Sequence, residues 1–291
     1  MRRYLGEFFE RFQYVQEDAS FLLAAYDRIA ASEEMHKRWQ EALRLYDEDI
    51  LCDYSQVISI ADVVAENLSL NEYTLELLVF ICLTKRAEEV YRERGLAPEI
   101  FYNTMLDLRY KLEECKAVYG VVGTFVPSWF AGFFRLTRFA LGRLQFEIID
   151  FGDTYEKNGR CLTPDSKVIN IHLPRTGTPM DPNSCDEACA MAKEFFKREV
   201  GDPTPFVCSS WLLYPENKDI LPEISNTYKF LMRFDIYNHR ITKDGSNLWR
   251  LFDTKETNPD RLPTDTSFRR RYVEHLKKGG KLGSGKGVFF L

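Results

Sequence analysis

The spacing of apolar residues changes once along this chain, and that change limits what it can fold into. From residue 2 to about 118, apolar positions recur at intervals of three and four with almost no Gly or Pro between them, the spacing of amphipathic helices. The last of these segments is bounded on both sides. Phe101, Met105, Leu108, Leu112, Cys115 and Tyr119 form one stripe between Pro98, suited to a first helical turn, and Gly120, suited to a helix end. The same reading predicts helices over 18–31, 33–47, 55–68 and 71–93. From Leu141 the period becomes two: Leu144, Phe146 and Ile148 interleave with Arg143, Gln145 and Glu147, which describes a strand with one apolar and one polar face. The sequence therefore predicts an α+β protein, with an all-helical domain over residues 1–120 and a mixed-sheet α/β domain over 121–291.

The second half follows an order. After a turn containing Asn158, Gly159, Pro164 and Asp165, the run Val168 to Pro174 sets Ile169, Ile171 and Leu173 on one face and Asn170 and His172 on the other. A loop from Arg175 to Ser184 feeds a helix from Cys185 to Glu199, and a third strand spans Phe206 to Leu213. Strand, loop, helix, strand is a crossover unit. A further helix runs from Pro222 and Ser225 to about Phe234, and Ile236–Ile241 and Leu248–Phe252 have strand character. A loop entering a helix start offers unpaired amide hydrogens and a partial positive charge, which suits a diphosphate. Gly177, Thr178, Asn183 and Ser184 are the residues placed to supply them, although ordinary helix caps use the same residue types.

Composition excludes several classes. With 291 residues, 45% of them hydrophobic, the chain can bury a sizeable core. A formal net charge of -5 gives no overall attraction to nucleic acid or anionic lipid. The longest apolar runs, Leu77–Leu83 and Val126–Phe134, are far shorter than the roughly 20 residues of a membrane span. The amino-terminal run is broken at Gly6 and Glu7, so no signal peptide is expected, and the expected location is cytoplasmic. Seven cysteines are scattered without paired spacing and read as reduced thiols. Cys185 and Cys189 are four apart, but no second ligand pair follows, so no metal is expected.

Several words in the second half carry a resemblance. Ser225-Asn-Thr-Tyr-Lys-Phe-Leu-Met-Arg-Phe-Asp235 is similar to the Asn-led helix of the GNAT acyltransferases, which follows a diphosphate loop, a helix and a diverging strand. Gly142-Arg-Leu-Gln-Phe-Glu147, Val168-Ile-Asn-Ile-His-Leu-Pro174, Cys208-Ser-Ser-Trp-Leu-Leu213 and Ser225-Asn226 more closely resemble bacterial proteins that join a helical N-acyltransferase amino-terminal domain to a GNAT-like carboxy-terminal domain. The likeness spans nearly the whole chain. It implies acetyl-CoA or another acyl-CoA as co-substrate, an amine of a small molecule or peptide as acceptor, and Arg175 and Asn226 among the coenzyme-binding residues. The loop departs from the usual Gln/Arg-x-x-Gly-x-Gly/Ala pattern: Pro174-Arg-Thr-Gly-Thr-Pro179 keeps Arg175 and lacks the second small residue. That departure supports an alternative, a non-catalytic acyl-CoA binding or sensing protein on the same fold.

Acyl transfer from a thioester to an amine requires a base for the amine, donors for the developing oxyanion and a proton for the leaving thiolate. Glu147 and His172 lie on polar strand faces, and adjacent strands would bring a carboxylate and an imidazole together, either as the base or merely as a hydrogen-bonded pair on a half-buried sheet face. Tyr228 is the candidate acid, against the plainer reading of an aromatic packed on its helix face. A rival scheme makes Cys208 a nucleophile activated by His172, against the plainer reading of a small buried hydrophobe. Gly280 to Gly287 superficially resembles a phosphate loop, but Gly287 stands where Ser or Thr is needed and only Val-Phe-Phe-Leu follows, so the segment is read as a glycine hairpin into a terminal strand. Arg269-Arg-Arg271 reads as a solvated face, or as a contact for the ribose phosphate of coenzyme A.

Overall fold

The computed structural model describes residues 1–242 and 247–291. The helical period is realised as α1 (Arg2–Arg11), α2 (Gln16–Ala31), α3 (Glu33–Glu48), α4 (Tyr54–Asn67), α5 (Glu72–Glu93) and α6 (Pro98–Tyr119). Polar side chains fix three of the starts by accepting first-turn amides: Ser32 from Met35, Asp53 from Ser55 and Asn71 from Tyr73. Pro98 opens α6, and Gly120 closes it in the left-handed region at φ +70°.

Gly120 ends the helix without ending the domain. The chain packs as two compact units that divide between Phe139 and Ala140. The reason lies in residues 121–136, placed on the far side of the boundary when only the helical stripe is read. Thr124 donates its backbone N–H to the Tyr73 carbonyl at 2.9 Å, and Thr74 donates its hydroxyl to the Val122 carbonyl at 2.8 Å. A 3-10 turn over Pro127–Phe130 and α7 (Ala131–Phe134) then bury Phe130, Phe133 and Phe134 completely. Phe134 packs on Tyr46 and Phe80 with ring centroids 5.5 and 5.4 Å apart, so this short segment completes the helical core.

One carboxyl in that core is out of its ordinary state. Glu76 on α5 is 8% exposed, and burial, reinforced by Asp62 on α4 and Glu72, pushes its pKa up to about 8. An unfolded Glu releases its proton near pH 4.3, roughly. Between those values the folded chain holds a proton that the unfolded chain has lost, so stability is full below the window and falls as pH rises through it. Glu76→Gln should be close to neutral at pH 5 and stabilising at pH 9 by a few kcal/mol, at about 1.4 kcal/mol per unit. Urea unfolding of both proteins at the two pH values measures this; parallel losses in the two would refute it.

The second unit is a six-stranded sheet built from β1 (Arg138–Leu141), β2 (Leu144–Asp150), β5 (Lys167–His172), β6 (Pro205–Ser210), β7 (Asp235–Ile241) and β8 (Gly283–Phe290), in the order β1-β2-β5-β6-β8-β7. Between β2 and β5 the chain forms a hairpin of β3 (Tyr155–Lys157) and β4 (Arg160–Leu162), turned by Asn158 and Gly159 at φ +51° and +73°. The turn residues are legible in the sequence, but the two short strands they join are not. β2 pairs antiparallel with β5, β5 parallel with β6, and β8 antiparallel with both β6 and β7. The crossover from β5 to β6 runs through α8 (Pro182–Phe195), which starts three residues earlier than the apolar spacing suggested. The short helices α9 (Asn217–Ile220) and α10 (Asn226–Leu231) follow β6.

Two expectations need correction here. The third strand stops at Ser210, because Trp211–Leu213 form a 3-10 turn capped by the Ser210 hydroxyl. Leu248–Phe252 is not a strand: Trp249–Phe252 form a helical turn, α11. Alternation would have buried only every second residue, whereas Leu248, Leu251 and Phe252, spaced by three and four, enter one cluster with Leu262, Tyr272 and Val273. Tyr272 and Val273 come from α12 (Ser267–Lys277), a helix not predicted from the sequence. The glycine run does lead into a terminal strand, β8, but out of α12 rather than through a hairpin. At Gly287 a side-chain carbon would come within 2.7 Å of the Phe234 Cβ, so the bare backbone is what lets that side chain lie on the strand.

Candidate active site

Register determines which side chains share a face. Gln145 stands opposite His172, and Glu147 opposite Asn170, so these four side chains lie on one face of the sheet. The Asp150 and Lys167 end of that face is closed by an apolar cluster of Phe151, Tyr155, Leu162, Val168, Val207 and Val288, two of them from the β3–β4 hairpin. The polar residues occupy the other end.

Glu147 and His172 meet as the alternation suggested, on the diagonal rather than directly opposite. The His172 Nε2 is 2.6 Å from Glu147 Oε1, with the two side chains 21% and 14% exposed. Asn170, placed on this face by alternation but given no role there, donates its amide Nδ2 to the same Glu147 oxygen at 3.1 Å. We assign the hydrogen to Nε2, because a carboxylate oxygen at 2.6 Å needs a proton between the two atoms, and the Asn170 amide, 3.2 Å from the same nitrogen, then serves Glu147 alone. In the neutral ring Nδ1 is then the acceptor nitrogen. Asn170 was legible as a polar residue on this face, but only the register puts it across from Glu147.

The crossover pair opens where coenzyme chemistry would need room. Among the described residues, β5 and β6 pair at Ile169–Phe206 and Asn170–Val207, while β5 continues to His172 and β6 to Ser210. Their carboxyl ends therefore diverge beside the loop that enters α8, the position where open α/β sheets bind ligands. The loop is accessible: Gly177, Thr178 and Asn183 are exposed and Ser184 is half-buried. Gly177 takes φ +75°. Arg143 organises the loop by donating to the carbonyls of Pro174, Thr178 and Pro179.

The helix start itself needs correction. Its cap is Asp181, whose carboxylate accepts the Ser184 N–H at 3.1 Å, so Ser184 does not offer that amide to a ligand. Pro182 has no N–H, which leaves Asn183 as the first-turn amide for an anion. Arg175 is drawn aside: it donates to Asp253 at 2.9 Å, and Asp253 also receives Arg269 at 2.6 Å. Arg269 is half-buried and bonded to Asp265 as well, whereas Arg270, which donates to the Thr264 carbonyl, and Arg271 are exposed, so two of the three basic residues form a solvated face.

Tyr228 and Asn226 are not brought to the Glu147–His172 pair. They stand in the first turns of α10, where the Ser225 hydroxyl accepts the Tyr228 N–H at 3.1 Å. The neighbouring Phe234 packs on Phe289, which shares a sheet face with Phe206, opposite the face of Glu147. Cys208 also lies on that opposite face. It is 2% exposed, and burial pushes its thiol up to about 12, so activation by His172 has no geometric basis and the plain reading of a buried hydrophobe holds. Cys185 and Cys189 are buried along α8, with the Cys189 thiol likewise pushed up to about 12. Among the described residues no helix is long and apolar enough to cross a membrane.

A diverging parallel pair, a loop and a helix start at its carboxyl ends, and an all-helical unit ahead of the sheet define the acyltransferase class of fold. The chain matches a solved acyltransferase in complex with decanoyl-CoA and teicoplanin, with a TM-score of 0.73 and 22% identity over 98% of this chain and 87% of that one. It also matches an acyltransferase mutant in complex with octanoyl-CoA, with a TM-score of 0.74, the same identity and the same coverage. No curated protein matches. Residues 3–136 match the N-acyltransferase N-terminal domain and residues 138–289 the GNAT-like C-terminal domain, and the chain belongs to the family that joins the two.

Proposed function

We propose that this protein transfers an acyl group from acyl-CoA to an amine, using the Glu147–His172 pair as the base. The observation that carries this reading is a carboxylate-held imidazole on β5, the strand whose far edge separates from β6. Family membership and the shared fold support acyl transfer, and the acyl-CoA complexes of the matched structures support octanoyl and decanoyl donors. Teicoplanin in one of those complexes supports a peptide-like acceptor.

Acyl-CoA supplies an activated thioester carbonyl. The protein's own part is to hold and move a proton. Glu147, steadied by Asn170, fixes the ring of His172 through Nε2–H, which turns Nδ1 toward the role of base. Proton removal frees the amine lone pair to form the new C–N bond as the C–S bond breaks. The imidazolium is stabilised by Glu147, and the proton is available to the departing thiolate. The exposed loop from Arg175 through Gly177 and Thr178 to Asn183 takes the diphosphate, with the Arg175 side chain released from Asp253 to meet it. Asn226 and Tyr228 fall on the other side of the sheet in this scheme, along the coenzyme arm rather than at the amine.

The test is release of free thiol from octanoyl-, decanoyl- and acetyl-CoA with a panel of amines. Release that depends on the amine supports the transferase. Saturable binding of acyl-CoA without release supports the non-catalytic alternative and overturns the assignment of the base.

A further inference from the structure

We infer that Gln145 reads an amide group on the acceptor, next to the amine that is acylated. The inference rests on the acyl-transfer reading above and extends it to the acceptor's chemistry. Gln145 is 1% exposed and stands directly across the β2–β5 ladder from His172, on the same face. Side chains so paired have Cβ atoms about 5 Å apart, within reach of one small substrate group. Both its amide atoms, Oε1 and Nε2, are buried without a hydrogen-bond partner among the described residues. The polar neighbours on this face are engaged with one another: Asn170 with Glu147, and Glu147 with His172.

A fully buried primary amide with neither end satisfied is costly to a fold, and such groups mark places where a partner arrives from outside. The side chain presents one acceptor and a donor pair in a single plane. The group that meets both at once is another amide, donor to acceptor and acceptor to donor. The pantetheine arm of coenzyme A also carries amides, but the β5–β6 opening lies on the edge of β5 away from β2. The amide that reaches Gln145 therefore belongs to the acceptor, and a peptide-like amine fits where a plain alkylamine leaves the side chain unpaired.

Glycinamide and isobutylamine test this, because they have the same shape and differ in having an amide or an apolar end. Thiol release from octanoyl-CoA is followed with each amine for the wild type, Gln145→Met and Gln145→Glu. The wild type should favour glycinamide in kcat/KM at least about tenfold more than Gln145→Met does. Gln145→Glu, which keeps an acceptor and loses the donor pair, should fall between them. An unchanged ratio in Gln145→Met overturns the proposal, and so does an unchanged ratio with a raised KM for octanoyl-CoA, which would assign the side chain to the pantetheine arm. If neither amine releases thiol, acyl transfer to these acceptors is what fails, and thermal melting decides Gln145 alone. Gln145→Met without ligand should melt several degrees higher than the wild type, since two unpaired polar atoms are removed. A lower melting temperature would show an internal partner for the amide and overturn the proposal.

Discussion

His172→Ala lowers kcat by about 10²- to 10⁴-fold, the range a positioned general base contributes, while the KM for acyl-CoA stays within about twofold. The side chain is engaged with Glu147 on the sheet face and is not among the loop residues proposed for the diphosphate, so donor binding should not pass through it. Glu147→Gln retains shape and removes the charge that holds Nε2–H at 2.6 Å, and the expected loss is about tenfold to 10³-fold. The amide can still accept a hydrogen bond, but the ring is then free to settle in the other tautomer and the imidazolium loses its counter-charge. Asn170 keeps a partner in Glu147→Gln if the new amide turns its oxygen inward, which is why the loss should be smaller than for His172→Ala. Steady-state thiol release, with circular dichroism to establish folding, makes the measurement. Turnover equal to the wild type in both variants would remove the pair from the mechanism.

Phe134→Ala should cost the helical unit about 3–5 kcal/mol, the range for deleting a fully buried aromatic ring. The ring touches Tyr46, Tyr54 and Phe80, from three different helices, so none of them can close the space by itself. The Phe134 carbonyl also accepts the Tyr46 hydroxyl at 3.2 Å, which keeps the segment in place and limits collapse around the cavity. Urea unfolding of the full-length chain, read by helical signal, gives the value. A loss below about 1 kcal/mol would mean that residues 121–139 are a linker after all and that the boundary belongs at Gly120.

The Phe134 expectation marks how far local reading reaches. Helices α2–α6 were legible because each carries its own period and three carry capping side chains, and these are properties of a few consecutive residues. The stretch from Val121 to Phe134 has no such period. Its rings are buried by partners at positions 46, 54 and 80, and nothing near them in sequence states that distance. Leu248–Phe252 failed for a related reason: five residues fit either period, and the cluster with Leu262 and Tyr272 made the choice.

The site divides in the same way. Glu147 and His172 could be singled out because alternation places each on a polar face, and two such strands in succession tend to be neighbours. What alternation leaves open is register. Register set Gln145 across from His172 and Asn170 across from Glu147, and it turned Cys208 to the opposite face, out of reach of the imidazole.

By itself the sequence determined the two architectures, the order strand, loop, helix, strand, and the residue types available for acyl transfer, since these follow from period and from turn chemistry within short windows. Only the tertiary structure decided where the helical unit ends, how the loop's charges pair, and which polar groups share one face at hydrogen-bond distance. Those depend on contacts between residues far apart in the chain, where packing and strand pairing rather than local preference set the free energy.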